Sequence, residues 1–74
     1  MGYEITLILP VRNIENDIVR VLDTARDQVD NFSAEFIVVD MASKDATLWR
    51  ALHYIESHGL SGMVLQNGEG SVSE

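Results

Sequence analysis

Cysteine is absent from the sequence, which removes disulfides, thiolate metal sites and cysteine nucleophiles from consideration together and fits a reducing, cytoplasmic setting. Basic residues are scarce, five against twelve acidic ones, for a formal net charge of −7. A chain so acidic repels phosphate backbones and anionic lipid surfaces, so nucleic acid is not an expected partner. The carboxylates are scattered without the spacing of an EF-hand loop, and no metal site built by this chain alone is expected. Long apolar runs are also missing. None approaches the roughly 20 residues that cross a bilayer, and Met1-Gly2-Tyr3-Glu4 has no basic n-region of a signal peptide. The expected location is cytoplasmic or peripheral to a membrane. There is no internal repeat and no low-complexity tract.

What is present is the composition of a soluble globular protein, 46% hydrophobic and 23% charged over 74 residues. That length bounds the chain to a single domain, residues 1–74, and a domain so small buries only about 60% of the surface its unfolded chain exposes. Ile5-Thr6-Leu7-Ile8-Leu9 reads as a strand buried on both faces and closed by Pro10. From Glu15 to Gln28 the spacing of Ile18, Leu22, Ala25 and Val29 predicts an amphipathic helix. A polar break at residues 30–33 leads to a second apolar strand, Glu35 to Asp40. Ser43 then stands at the N-cap position of a second helix, with Asp45 in its first turn and a buried stripe of Leu48, Leu52 and Ile55 with Trp49 alongside. Gly59 is placed to stop that helix, Gly62 to Gln66 reads as a third strand, and residues 67–74 read as a flexible tail.

Strand, helix, strand, helix, strand calls for an α/β fold: a three-stranded parallel sheet with right-handed crossovers, Rossmann-like, carrying both helices on one face. The opposite face is then bare although the strands are apolar on both sides, a patch that soluble monomers seldom expose. The remainder of a longer protein, or a second copy in a homo-oligomer, is the expected cover.

Asp40 ends the central apolar run. In open α/β sheets ligands sit beyond the carboxyl ends of strands, so a carboxylate there is positioned to face a bound molecule; the competing reading is that it starts the turn and caps the following helix. A receiver domain would need an acidic pair after the first strand, which ends instead in Leu9-Pro10. A dinucleotide-binding domain would need Gly-x-Gly-x-x-Gly there, whereas Gly68-Glu69-Gly70 follows the third strand and reads as a connection. His53 and His58, five apart with no nucleophile or acidic partner placed for a triad, read as solvated helix residues. Trp49 reads as a core or interface residue.

Ile5-Thr6-Leu7-Ile8-Leu9-Pro10-Val11-Arg12-Asn13 and, one helix later, Phe36-Ile37-Val38-Val39-Asp40-Met41-Ala42-Ser43-Lys44-Asp45-Ala46-Thr47 resemble the start of family 2 glycosyltransferases. In that family the first strand ends in Pro-x-Tyr-Asn and the next in Val-Asp-Asp-Gly-Ser. The resemblance runs over residues 3 to 70. It implies a GT-A nucleotide-binding portion in which Pro10, Arg12, Asn13, Asp40 and Ser43 hold the nucleotide of a UDP- or GDP-linked sugar donor. Arg12 stands where the family has Tyr, Ile14 where an acidic residue is common, and Met41-Ala42 where it has Asp-Gly. Family members hold the donor diphosphate through Mg or Mn on an Asp-x-Asp motif and carry a catalytic base further along. Asp-x-Asp does not occur in this sequence. The resemblance therefore implies the truncated, donor-binding part of a longer transferase, inactive alone; the alternative from a different class is a non-catalytic, self-associating α/β module.

Overall fold

A computed structural model describes residues 2–67. Its elements run β1 (Ile5–Val11), α1 (Ile18–Gln28), β2 (Ala34–Asp40), α2 (Thr47–Ser57) and β3 (Gly62–Gln66). The three strands are parallel in the order β1-β2-β3, in a register that sets Leu9 beside Val38 and Val38 beside Val64. This is the βαβαβ arrangement expected from the sequence. Apart from Asn67, the expected tail over 67–74 lies outside the described residues.

Pro10 does not close the first strand, which continues through it to Val11. The bonds from Ile5 N–H to Ser33 C=O (3.1 Å) and from Met41 N–H to Val11 C=O (2.8 Å) show why. Odd-numbered residues of β1 face β2, so Pro10 sits where its nitrogen points away from the sheet and no ladder bond is lost. The helix starts also differ from expectation. The first helix begins at Ile18 rather than Glu15, and Asp17 at its N-cap makes no capping bond, its carboxylate being drawn to Arg20 (2.8 Å). Ser43 is not the N-cap of α2; Ala46 holds that position, and the orphan N–H of Thr47 is taken by Asp45 Oδ1 at 3.0 Å. At the other end the expected stop is found. Gly59 has φ +61°, Gly59 N–H donates to Glu56 C=O and Leu60 N–H to Ile55 C=O (3.0 Å), and Leu60 packs onto the core that contains Ile55, together a Schellman motif.

The core lies between the two helices and one face of the sheet. Ile18, Leu22, Ala25 and Val29 are all buried, as their spacing predicts. The inner stripe of α2 differs from expectation: Thr47, Ala51, Tyr54 and Ile55 are buried, whereas Leu52 is exposed and Trp49 is 67% exposed. The helix is rotated so that Tyr54 faces α1. There its hydroxyl donates to Asp23 Oδ1 (2.5 Å) and accepts from Arg26 Nη1 (3.2 Å), which lets a large ring be buried without an orphaned polar end. Burial, with the bond to Asp23 adding to it, raises the Tyr54 pKa above its ordinary value of 10. The clamp's contribution is thus fully present below pH 10 and is lost only as pH rises through the raised value. His58 stacks on the same ring, centroids 4.0 Å apart, at the helix end.

The other face of the sheet is open. Along β1 exposure alternates, with Ile8 64% exposed, and the rows Ile8–Ile37–Met63 and Pro10–Val39–Leu65 run across it without a covering layer among the described residues. The strands are therefore apolar on both sides but covered on one.

The seam between β2 and β3 depends on Gly62, where a Cβ would collide with the Phe36 carbonyl oxygen. Gly62→Ala is expected to lower unfolding free energy by about 1–3 kcal/mol, because neither backbone can yield without breaking the ladder; a shift of the urea midpoint to lower concentration measures it.

Candidate functional site at the carboxyl ends of the strands

Two strand-to-helix turns, residues 12–17 and 41–46, meet above the carboxyl end of the sheet. Each leaves backbone N–H groups without ladder or helix partners, and each supplies acceptors for the other. Asn13 N–H donates to Ser43 Oγ (2.9 Å), Ile14 N–H to Thr47 Oγ1 (2.8 Å) and Glu15 N–H to Asp45 Oδ2 (3.2 Å). In return Lys44 N–H donates to Asn13 Oδ1 (2.7 Å) and Ala46 N–H to Glu15 Oε1 (2.8 Å). Thr47, fully buried, donates a hydrogen bond from its own hydroxyl to Asp45 Oδ1 (2.5 Å), so Asp45 collects both loops and the first helical turn. The bond from Thr47 lowers the Asp45 pKa below its ordinary value of 3.8. Its part of the latch is therefore complete above that pH and is lost as pH falls through the depressed value.

Asp40 lies underneath. Its side chain shares the helix-facing side of β2 with Phe36 and Val38 and is 1% exposed. Carboxylate Oδ2 accepts the N–H of Ser43 (3.1 Å), which starts the turn, and the backbone carbonyl accepts Asn67 N–H (2.7 Å). Among the described residues, Oδ1 is buried with no hydrogen-bond partner. An unmatched carboxylate oxygen in the interior is costly and rare, and it marks a position that a further donor would satisfy. Of the competing reading of Asp40, that it starts the turn and caps the following helix, the turn is present and the cap is not, since Asp45 does the capping.

The other sequence-predicted residues are distributed around this point. Asn13 and Ser43 are brought together and bonded to each other's loop. Arg12 is exposed and, among the described residues, makes no hydrogen bond or ion pair. Pro10 is exposed on the bare side of the sheet. No family model, curated protein or solved structure matches this chain.

Among the described residues no three His, Asp or Glu side chains converge as a metal site would require, and Asp-x-Asp is missing from the sequence. No helix among the described residues is long and apolar enough to cross a membrane. Two open grooves among the described residues lie elsewhere: one of about 520 Å³ at the opposite end of the sheet beside Asp23, Asp27 and Phe32, the other of about 710 Å³ between α2 and β3.

Sequence reasoning missed Glu15, Asp45 and Thr47 as the acceptors that bind the turns together. The signal available was the density of side-chain oxygens in two segments that each follow a strand.

Both turns use left-handed backbone, Asn13 with φ +50° and Ala42 with φ +58°. Asparagine tolerates that region; alanine is strained there. Ala42→Gly is expected to raise stability by about 0.5 kcal/mol, relief of roughly 1–2 kcal/mol of strain being partly offset by the freer unfolded chain. Asn13→Ala is expected to lower it by about 1–2 kcal/mol through the lost acceptor for Lys44 N–H and a new strained alanine. Opposite shifts of the thermal midpoint check the pair.

Proposed function

We propose that this chain is the donor-nucleotide-binding part of a family 2 glycosyltransferase, a longer enzyme that moves a sugar from a nucleotide-sugar to an acceptor. Asp40 carries the reading. A carboxylate at the end of the central strand, buried, with Oδ1 unmatched, suits a base N–H or a ribose hydroxyl, and a buried charged acceptor discriminates strongly between ligands that can and cannot donate to it. Arg12, exposed on the neighbouring 12–17 turn and without a partner among the described residues, offers a cation to a phosphate oxygen. Support also comes from two of the motif positions, Asn13 and Ser43, which lie on the two turns and are joined to each other; Pro10 lies in β1. The metal motif and the catalytic base belong to other parts of such an enzyme, so the chain alone is expected to bind and not to turn over. A cytoplasmic location belongs to the same reading.

Titration of the isotope-labelled chain with UDP and with GDP tests this. The expected result is amide shift changes at Arg12, Asn13 and Ser43 with one of the two, weakened roughly tenfold or more by Asp40→Asn, which sets an amide donor where the ligand's donor would point. Spectra unmoved by either nucleotide at millimolar ligand overturn it.

A second reading is favoured by the open sheet face: a module that self-associates by packing that face on its own copy. Rows of Ile8, Ile37, Met63 and of Val39, Leu65 form the kind of contiguous apolar surface that marks an interface. Ile8→Lys is expected to reduce the mass measured by light scattering and the binding of a hydrophobic dye. An unmodified chain with single-chain mass and no dye binding sinks this reading.

A further inference from the structure

We infer that β3 is a docking edge at which a second copy of this chain adds its own β3 in antiparallel register about a two-fold axis through Val64. The inference does not rest on nucleotide binding, and it assigns self-association a surface other than the open sheet face.

The two edges of the sheet are unlike. Phe36 N–H donates to Ser61 C=O (2.9 Å) and Asn67 N–H to Asp40 C=O (2.7 Å), so odd-numbered residues of β3 face β2. Gly62, Val64 and Gln66 turn their N–H and C=O groups outward, and among the described residues nothing pairs with them. On β1 the outward residues are Thr6, Ile8 and Pro10, and proline offers no N–H, a common way of blunting an edge. Strand β3 has no such protection: Gly62-Met63-Val64-Leu65-Gln66 contains no proline and no charge. Such an edge is a template for another strand.

The surroundings of β3 add apolar area on both sides. Met63 and Leu65 are 47% and 46% exposed on the open face. On the helix side runs the groove of about 710 Å³ whose walls include Trp49, Leu52 and Met63. Leu52, expected in the buried stripe from sequence, and Trp49, expected as a core or interface residue, stand exposed beside this edge.

The occupant is a second copy because the strand complements itself. With the axis through Val64, the two Val64 residues exchange both of their hydrogen bonds and Gly62 pairs with Gln66 of the other copy. Met63 falls opposite Leu65 in the closer, non-hydrogen-bonded pairs, apolar against apolar. An isologous contact of this kind closes as a dimer and exposes no further template. Although the chain carries −7, none of that charge lies on β3 itself, so the paired strands bring no like charges directly opposite, and each groove contributes one carboxylate, Glu56, to its wall. The axis stands perpendicular to the sheet, which keeps the helices of both copies on one side and sets the two grooves along a common seam.

The test uses the Ile8→Lys variant, in which packing through the open face is disabled, and compares it with the double variant Ile8→Lys, Gln66→Pro. Gln66 is exposed and its N–H points outward, so proline removes an edge donor without taking a bond from the sheet; circular dichroism confirms the fold. The expected result is a dimer for Ile8→Lys and single-chain mass for the double variant. In the unmodified chain, exchange of the Val64 and Gln66 amides should slow roughly tenfold or more with rising protein concentration while the Thr6 and Ile8 amides stay fast. Single-chain mass for Ile8→Lys at every concentration, a dimer that survives Gln66→Pro, or edge amides that exchange fast throughout overturns the inference. A mass difference between the unmodified chain and Ile8→Lys bears only on the open-face reading.

Discussion

Backbone amides left over by two strand-to-helix turns must find acceptors, and in this chain each turn finds them on the other. Three N–H groups of residues 13–15 are received by Ser43, Thr47 and Asp45, and two of the second turn by Asn13 and Glu15. Three of these bonds, those of Ile14, Glu15 and Ala46, are partly buried, where a lost partner costs more than at the exposed bonds of Asn13 and Lys44. These exchanges therefore decide more than local shape. They bring the starts of both helices to a common point, bury Thr47, and close the turn over Asp40. The rotation of α2 follows from the same anchoring: with Thr47 held inside, the positions one and two turns later are Ala51, Tyr54 and Ile55, and these form the inner face.

That chain of causes explains what could be read from the sequence and what could not. Element order, the parallel arrangement and the stripe of α1 were legible because apolar spacing there has a single interpretation. The stripe of α2 was not. Leu48, Trp49, Leu52 and Ile55 are the more hydrophobic set, and hydrophobicity alone assigns them inward. The deciding contributions are a threonine bonded on both sides and a tyrosine whose hydroxyl finds Asp23 and Arg26 on the neighbouring helix. Both are tertiary facts that no window of a single element contains. Pro10 illustrates the same limit. Whether proline ends a strand depends on which way its nitrogen points, and that is set by the neighbour's register.

Displacing Trp49 and Leu52 outward has a structural consequence. They join Met63 beside an unpaired strand, while Ile8, Ile37 and Leu65 line the face below. Among the described residues the charged side chains lie mostly on the helices and turns, leaving the sheet's open face and β3 edge almost uncharged. Glu35, the exception on the open face, accepts a bond from Thr6 at the amino end of the strands, away from the apolar rows. A small domain that covers only one side of its sheet retains a good deal of apolar surface whose burial would add to a marginal stability.

The family resemblance rests on a few residues, and most of them have an architectural task in this fold. Asn13 and Ser43 link the turns, position 42 adopts the left-handed backbone that glycine takes most easily, and Pro10 occupies an outward edge position. A motif could persist for such reasons in any protein that joins two strands to two helices this way. Asp40 is different. One carboxylate oxygen suffices to start the turn, and an asparagine or serine there would do so without placing a charge in the interior. The second oxygen, enclosed, makes no hydrogen bond among the described residues. It is the feature for which architecture supplies no reason, and so it is the feature on which a binding function has to rest.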